Sequence, residues 1–421
     1  MINRIKLRVE RHKSFVSYFS FSVATSALGF IASLLLMRLI SPEEFGRIAI
    51  FLSIHFFVAP IISFSAESLI AVKKSKLPQF EYEIFRQCYV TFSYVAFLAI
   101  QLVFVAIFFS GIIKDSLFLL IPLTALVKFL IGLASIEYVM EEKSVQFGLV
   151  AFSTTLLSLV LTLVFLTTFS AVADWRIASL LLADITFLLV RYRGRMKLLI
   201  ALAFKKTEFK AIVAFGFPLL LAVAPAWALN ESDKIIVANY VDLATVGLYA
   251  AAGAIGGFMI TFNTALLNSM IPKLYQVLNE QSESMMLIVR RYTIRFMAAS
   301  VVFAAGYTLA YRLTAEIILP EKYLAAREIV YLIILCSLAR SLYAVLGATT
   351  DYYGMTVQKL KGIIYAGGTA VTSIVFGVTQ FGIVGAATGV GAGYVVLSLV
   401  LWFELKNKSR NSAETTGDRT K

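Results

Sequence analysis

The stretch RYRGRMKLLIALAFKKTEFK, Arg191 to Lys210, carries Arg191, Arg193, Arg195, Lys197, Lys205, Lys206 and Lys210 and lies at the midpoint of a 421-residue chain. Six apolar stretches precede it, at 15–40, 46–72, 87–109, 112–137, 148–170 and 172–193, and six follow, at 212–232, 244–271, 293–319, 325–351, 358–380 and 383–403. An α-helix needs about 20 apolar residues to cross a bilayer core, which is the scale of each stretch. In the sixth, Asp174, Trp175 and Arg176 leave only a tight turn after the fifth, and Leu180 to Val190 is apolar around Asp184. The pattern predicts an all-α integral membrane protein of about twelve transmembrane helices in two six-helix bundles. Its segments are an N-terminal bundle at 1–190, a basic linker at 191–211, a C-terminal bundle at 212–403 and a tail at 404–421. The tail is too polar to bury a core and is expected to be disordered.

Composition leads to the same class. With 59% hydrophobic and 15% charged residues, a water-soluble chain would be left with more apolar area than it could cover, so the bilayer must be the solvent. Cys88 and Cys336 both sit in apolar stretches without a C-x-x-C spacing, so neither a disulfide framework nor a metal site is expected, and no cofactor is called for. Arg4, Lys6, Arg8, Arg11 and Lys13 precede the first apolar run in the manner of a signal peptide, but Phe15 to Ile40 is too long for a signal core and reads as an uncleaved first span.

The net charge of +13 raises the question of nucleic acid, yet no aromatic-basic cluster accompanies it. With a cytoplasmic N-terminus, 27 of the 38 lysines and arginines fall in segments on the cytoplasmic side and seven on the other. Positive loops resist translocation, so this asymmetry accounts for the charge and places both termini inside.

An offset of 201 residues aligns Ile40–Ala49 with Val241–Ala250. In each copy a long apolar run ends, Ser41 or Asp242 stands ready to cap the next helix, and Gly46 or Gly247 follows where helices approach closely. Ser41, Pro42 and Glu44 have the spacing of a full capping box with proline at the first helical position. Two six-span halves enter the membrane in the same sense, so the repeats are expected to be parallel, with a substrate path between the halves.

Three segments carry a resemblance: Arg38–Gly46, Asp233-Lys234 with Val246–Ala251, and Gly382–Thr388. With them the whole chain resembles an O-antigen or polysaccharide flippase of the multidrug/oligosaccharidyl-lipid/polysaccharide exporter superfamily. The resemblance implies two six-helix bundles forming a V around a central cavity that opens alternately to each side of a bacterial plasma membrane. It implies a polyprenyl diphosphate-linked oligosaccharide as cargo and other membrane proteins of polysaccharide assembly as partners. Lipid II flippases of that superfamily usually carry extra helices and arginines in the first helix; here the first span has no basic residue before Arg38, which disfavours a peptidoglycan precursor.

A diphosphate cannot cross hydrocarbon without a polar route and fixed cations, so charges inside spans are the candidates. Lys128 in the fourth span and Arg340 in the tenth are candidate cargo-binding cations, arginine in bidentate fashion. The alternative for Lys128 is neutralisation of Asp184, and for Arg340 pairing with a neighbour or with carbonyls. Arg312 is a weaker candidate because Glu316 lies four residues on. Glu67, Asp184, Glu231 and Asp233 are candidates for a coupling proton or cation, with local neutralisation by Lys234 the alternative for the last two. Pro218 and Pro225 would kink the seventh span, either for gating or as structure alone. Trp227 and Tyr249 read as interfacial anchors before sugar-stacking platforms, and His55 as a hydrogen-bonded core histidine.

Two rival functions stand beside this reading. A cation-coupled drug exporter would show an excess of carboxylates deep in one half, whereas basic and acidic groups here are comparable in number. A polymerase or ligase would need a large outer loop, and none exceeds about fifteen residues by these span limits.

Overall fold

The computed structural model describes residues 2–193, 202–280 and 284–417, with side chains over 20–410 of these. Arg195 and Lys197 of the basic stretch lie outside the described residues. The described chain is helical without strands. Eleven stretches of it are long and apolar enough to cross a membrane, one for each expected span except the sixth. That one is a 19-residue helix, Ala173–Arg191, whose Asp174, Arg176, Asp184 and Arg191 make it too charged to qualify on composition.

By packing, the chain forms two compact units, Met1–Val223 and Ala224–Lys421. The division falls inside a helix rather than in the basic stretch. The reason lies in what that helix, Lys206–Asn230, touches at its start: Glu208 meets Lys73 at 3.0 Å and the Phe209 ring lies 5.6 Å from that of Phe92.

In the first unit the helices are α1 (Ile2–Leu39), α2 (Pro42–Ile62), α3 (Glu67–Lys76), α4 (Gln79–Phe109), α5 (Ile121–Met140), α6 (Ser144–Thr168) and α7 (Ala173–Arg191), with Lys206–Asn230 as α8. α5 is the central helix and packs against α2, α3, α4, α6 and α7. Ile121, Ala125, Leu133 and Ala134 on it are fully buried. The expected second span is broken: Phe64 and Ser65 adopt φ of 53° and 50°, in the left-handed region, and Ser65 N–H donates to the Pro60 carbonyl at 2.8 Å. Tyr89 Oη donates to the Ser63 carbonyl at 2.5 Å, so backbone that leaves the helix here keeps a partner, as a low-dielectric setting requires. Ser41 caps α2 through the Glu44 N–H at 3.3 Å. The other half of the capping box does not form, because the Glu44 carboxylate accepts from Arg47 and from the Ala173 N–H instead.

In the second unit the helices are α9 (Ser232–Tyr240), α10 (Leu243–Gly256), α11 (Phe258–Glu280), α12 (Met285–Ile318), α13 (Arg327–Tyr352), α14 (Thr356–Phe381) and α15 (Ile383–Gly417). The expected tail at 404–421 is helical as far as Gly417, in continuation of the last span; Leu405, fully buried, carries the packing past 403. Asp242 caps α10 through the Thr245 N–H at 2.7 Å, at the same three-residue offset as Ser41. A 3-10 turn leads into α5 (Ser116–Leu120) and another into α13 (Glu321–Ala326), and α13 packs against α10 as α5 does against α2. The internal repeat therefore extends well beyond the ten aligned residues.

The closest helix pair is α14 with α15. Gly382 turns the chain at φ 60°, ψ −141°, a conformation that only glycine adopts readily. Gly377 and Gly385 then bring backbone against backbone: a Cβ on Gly377 would lie 2.6 Å from the Gly385 carbonyl oxygen. Further along, Gly389 faces Ile374 and Gly393 faces Ala366, the small-residue spacing that lets membrane helices meet at van der Waals distance. Gly385→Leu is expected to destabilise the second unit by about 1–3 kcal/mol, the usual penalty of overpacking. Gly306→Ala, where a Cβ meets nothing within 4 Å, should leave the melting temperature in detergent unchanged; equal effects of the two would refute this packing account.

Candidate functional site

Two of the three candidate cations, Lys128 and Arg340, sit on the central helices of their units. Residues 121–138 of α5 are buried or half-buried throughout except Lys128, whose side chain is 48% exposed. Its Nζ lies 2.7 Å from one Asp184 carboxylate oxygen and 2.9 Å from the other. Asp184, on α7, is nearly inaccessible. The sequence alternative for Lys128 thus describes its resting contact: an ammonium whose charge is shared with a buried carboxylate. One turn before it, Thr124 Oγ1 meets His55 Nδ1 at 3.1 Å, so His55 is the hydrogen-bonded core residue it was expected to be.

Arg340 is differently placed. Its Nη1 donates to Asn230 Oδ1 at a long 3.4 Å, and its guanidinium lies 5.3 Å from the centre of the Tyr394 ring. Tyr394 Oη donates to the same Asn230 oxygen at 2.6 Å. No carboxylate pairs with Arg340 among the described residues. It lines an open cleft of about 210 Å³ within the second unit, walled by Ile260, Leu267, Ile271 and Tyr275 of α11 and by Tyr343, Gly347 and Asp351 of α13.

The remaining candidates disperse. Arg312 is exposed and does not close onto Glu316, which pairs with Arg327 at 3.6 Å instead; the 3-10 turn before α13 brings Arg327 back to it. Glu67 starts α3, in the first turn after the break in the second span. Glu231 and Asp233 both hold Lys234, at 3.0 and 3.2 Å, which is local neutralisation. Tyr249 is buried and donates to Asp233 at 2.7 Å, so it serves neither as an interfacial anchor nor as a sugar platform. Pro218 and Pro225 both lie in α8; the Pro225 carbonyl sits where a Cβ on Gly367 would fall, 2.5 Å away.

Sequence reasoning placed Arg86 in a cytoplasmic loop, and this is corrected: it is on α4, with its side chain 3% exposed. Its Nε donates to Glu137 Oε1 at 2.7 Å and its Nη2 to Tyr192 Oη at 2.7 Å, while Tyr82 Oη also donates to Glu137 at 3.1 Å. The pairing joins α4 to α5 across 51 residues, a separation at which no local pattern links the partners. In the loop after α5, hydrogen bonds from Lys143 and then Lys74 bring the Glu141 carboxyl down to about 2. At the other end of the unit Arg47 gathers Glu44, Asp115 and Asp174 at 2.9, 2.8 and 3.2 Å. Both clusters tie helix ends together. The cleft residues Tyr343, Gly347 and Asp351 were also missed, although with Arg340 they recur at helical spacing on one face of the tenth span.

This helical architecture is a fold that several solved membrane proteins share. It is similar to a structure of "Lipid II flippase MurJ, inward closed conformation" at TM-score 0.71 and 15% identity, covering 92% of this chain and 87% of that one. It is similar also to an inward-facing multidrug resistance MATE family transporter of the MOP superfamily, at TM-score 0.56 and 14% identity over 95% and 99% of the two chains. A third likeness is to a mutant form of the Vibrio cholerae MATE transporter VcmN, at TM-score 0.59 and 13% identity over 96% and 98%. No curated protein matches the sequence. The chain belongs to the family described as "Polysaccharide biosynthesis protein", whose model matches residues 35–328.

Glu137→Ala strands a buried guanidinium and is expected to cost about 3–5 kcal/mol. Arg86→Met combined with Glu137→Leu, which removes both charges, should recover most of that loss in a thermal-shift measurement on detergent-purified protein. Equal stability of wild type and Glu137→Ala would show that the pair carries no structural weight.

Proposed function

We propose that this protein is a flippase that carries a polyprenyl diphosphate-linked saccharide from the cytoplasmic to the outer leaflet of a bacterial plasma membrane. Membership of the polysaccharide biosynthesis family and the fold shared with a lipid II flippase support the class. The observation that carries the cargo is Arg340: a guanidinium in the middle of a span, lining a cleft, in contact with an amide oxygen and a ring face and with no carboxylate within 4.0 Å among the described residues. A charge at the centre of a transmembrane helix costs about 2.5–3.5 kcal/mol on insertion scales. A cation kept there with no carboxylate in contact is matched to an anionic ligand, and a guanidinium binds phosphate oxygens in pairs.

Lys128 is the subordinate cation, since Asp184 already takes part of its charge. Exposure of the Arg340 cleft alternately to the two leaflets moves the head group while the prenyl tail stays in lipid. The drug-exporter reading calls for carboxylates left open for a cation; three of the four candidates, Asp184, Glu231 and Asp233, are each engaged by a lysine, while Glu67 is half-buried at the start of α3 with no ion pair among the described residues. Energy coupling at any of the first three requires a lysine to let go.

In cells lacking the chromosomal gene, Arg340→Ala is expected to reduce surface glycan export about tenfold or more at normal protein abundance, the loss of a charge-assisted hydrogen-bonded contact of about 1.5–3 kcal/mol. Lipid-linked intermediate should accumulate in the inner leaflet, and Arg340→Lys should retain part of the activity. The Lys128→Ala, Asp184→Ala double variant should be abundant and show the smaller deficit. Unchanged export by Arg340→Ala would rule out this cargo site.

A further inference from the structure

Arg340 does not stand alone in its cleft. On α13 the residues Arg340, Tyr343, Gly347 and Asp351 lie on one face, spaced so that Arg340 and Asp351 are about 16 Å apart along the axis at 1.5 Å per residue. Opposite them α11 presents Ile260, Leu267 and Ile271 together with Asn263, Thr264 and Tyr275. The charged groups of the cleft therefore all stand on α13, and the α11 wall is mixed.

Its middle is built around Tyr343. A Cβ on Gly347 would come within 2.8 Å of the Tyr343 ring, so only glycine lets the ring lie down along its own helix. Tyr394 flanks the ring at 6.1 Å between centres, and Lys359 Nζ lies 6.0 Å from its centre. A tyrosine held on several sides offers its ring at little cost in conformational entropy. At the far end Asp351 binds Lys359 through both carboxylate oxygens, at 2.7 and 2.8 Å, yet remains 54% exposed. The pair offers acceptors and donors together, and a hydroxyl is both donor and acceptor.

One sugar ring joined to phosphate has the matching features: an anion at one end, a C–H face for an aromatic ring, and hydroxyls around the edge. The volume of about 210 Å³ lies below the range of about 300–1,000 Å³ typical of drug-sized ligands, so the cleft suits a single ring and not a whole oligosaccharide. A prenyl chain would suit Ile260, Leu267 and Ile271 of the α11 wall but would desolvate Arg340 and Asp351 without replacing their hydrogen bonds. We propose that this cleft is a saccharide subsite, in which Arg340 takes the sugar-linked phosphate, Tyr343 the ring face, and Asp351 with Lys359 the hydroxyl edge. It rests on the flippase reading above and extends it from a bare anion to the sugar nearest the diphosphate.

The test uses the full chain in lipid nanodiscs and three soluble probes: citronellyl diphosphate, and the same diphosphate bearing N-acetylglucosamine or galactose. Binding is measured by microscale thermophoresis. At least one sugar-bearing probe is expected to bind wild type about tenfold more tightly than the bare diphosphate, a factor equivalent to about 1.4 kcal/mol. Tyr343→Ala and Gly347→Ala should bring that ratio close to one by weakening the sugar-bearing probes more than the bare diphosphate. Tyr343→Phe should keep the ratio, and Arg340→Ala should weaken all three probes. Equal binding of bare and sugar-bearing probes by wild type, or a ratio unmoved in Tyr343→Ala and Gly347→Ala, overturns the subsite and leaves the anion site standing. Failure of all three probes to bind overturns both.

Discussion

An ionised side chain in a medium of low dielectric must be paired, wetted or given up, and the placement of charge in this chain follows from that constraint. Arg86 is paired with Glu137 and Tyr192, Lys128 with Asp184, and Lys234 with Glu231 and Asp233. Against those three solutions Arg340 is distinct, because the groups shown in contact with it are neutral and it borders open space. The same physics that makes the first three structural makes the fourth a place for a ligand. Charge alone would not separate them; the partner does.

That distinction also explains what was and was not legible in the sequence. Spans are written in long apolar runs, so eleven were legible as such, and the sixth stretch forms the helix Ala173–Arg191 that Asp174, Arg176 and Asp184 make too charged to qualify. Breaks within spans were not legible: Phe64 and Ser65 take left-handed backbone without a glycine to announce it. Arg86 was misplaced because Lys73, Lys74, Lys76 and Arg86 look like one basic loop, whereas α4 already begins at Gln79. Arg340 could be singled out from its depth in a span, but its cleft needs α11 beside α13, and no local pattern reports which helices become neighbours.

The two units are built on one plan, with a capped second helix, a 3-10 turn and a central helix that gathers the rest. On that common plan the sequences diverge where function would differ. The first unit spends its central helix on tight packing around a neutralised lysine. The second spends it on an arginine and an open polar wall, and closes its far side with the glycine seam of α14 and α15. On the proposed flippase reading the second unit takes the larger part in recognising the head group.

Leaflet exchange in a defined membrane tests the central claim most directly. The protein is reconstituted into liposomes with a fluorescent prenyl diphosphate-linked sugar, and the fraction of label reachable by an impermeant quencher is followed in time. The account predicts that wild-type protein brings label from the inner leaflet to the outer one well above the rate of protein-free liposomes, and that Arg340→Ala returns it close to that background. Exchange by the arginine-free protein at the wild-type rate would contradict it.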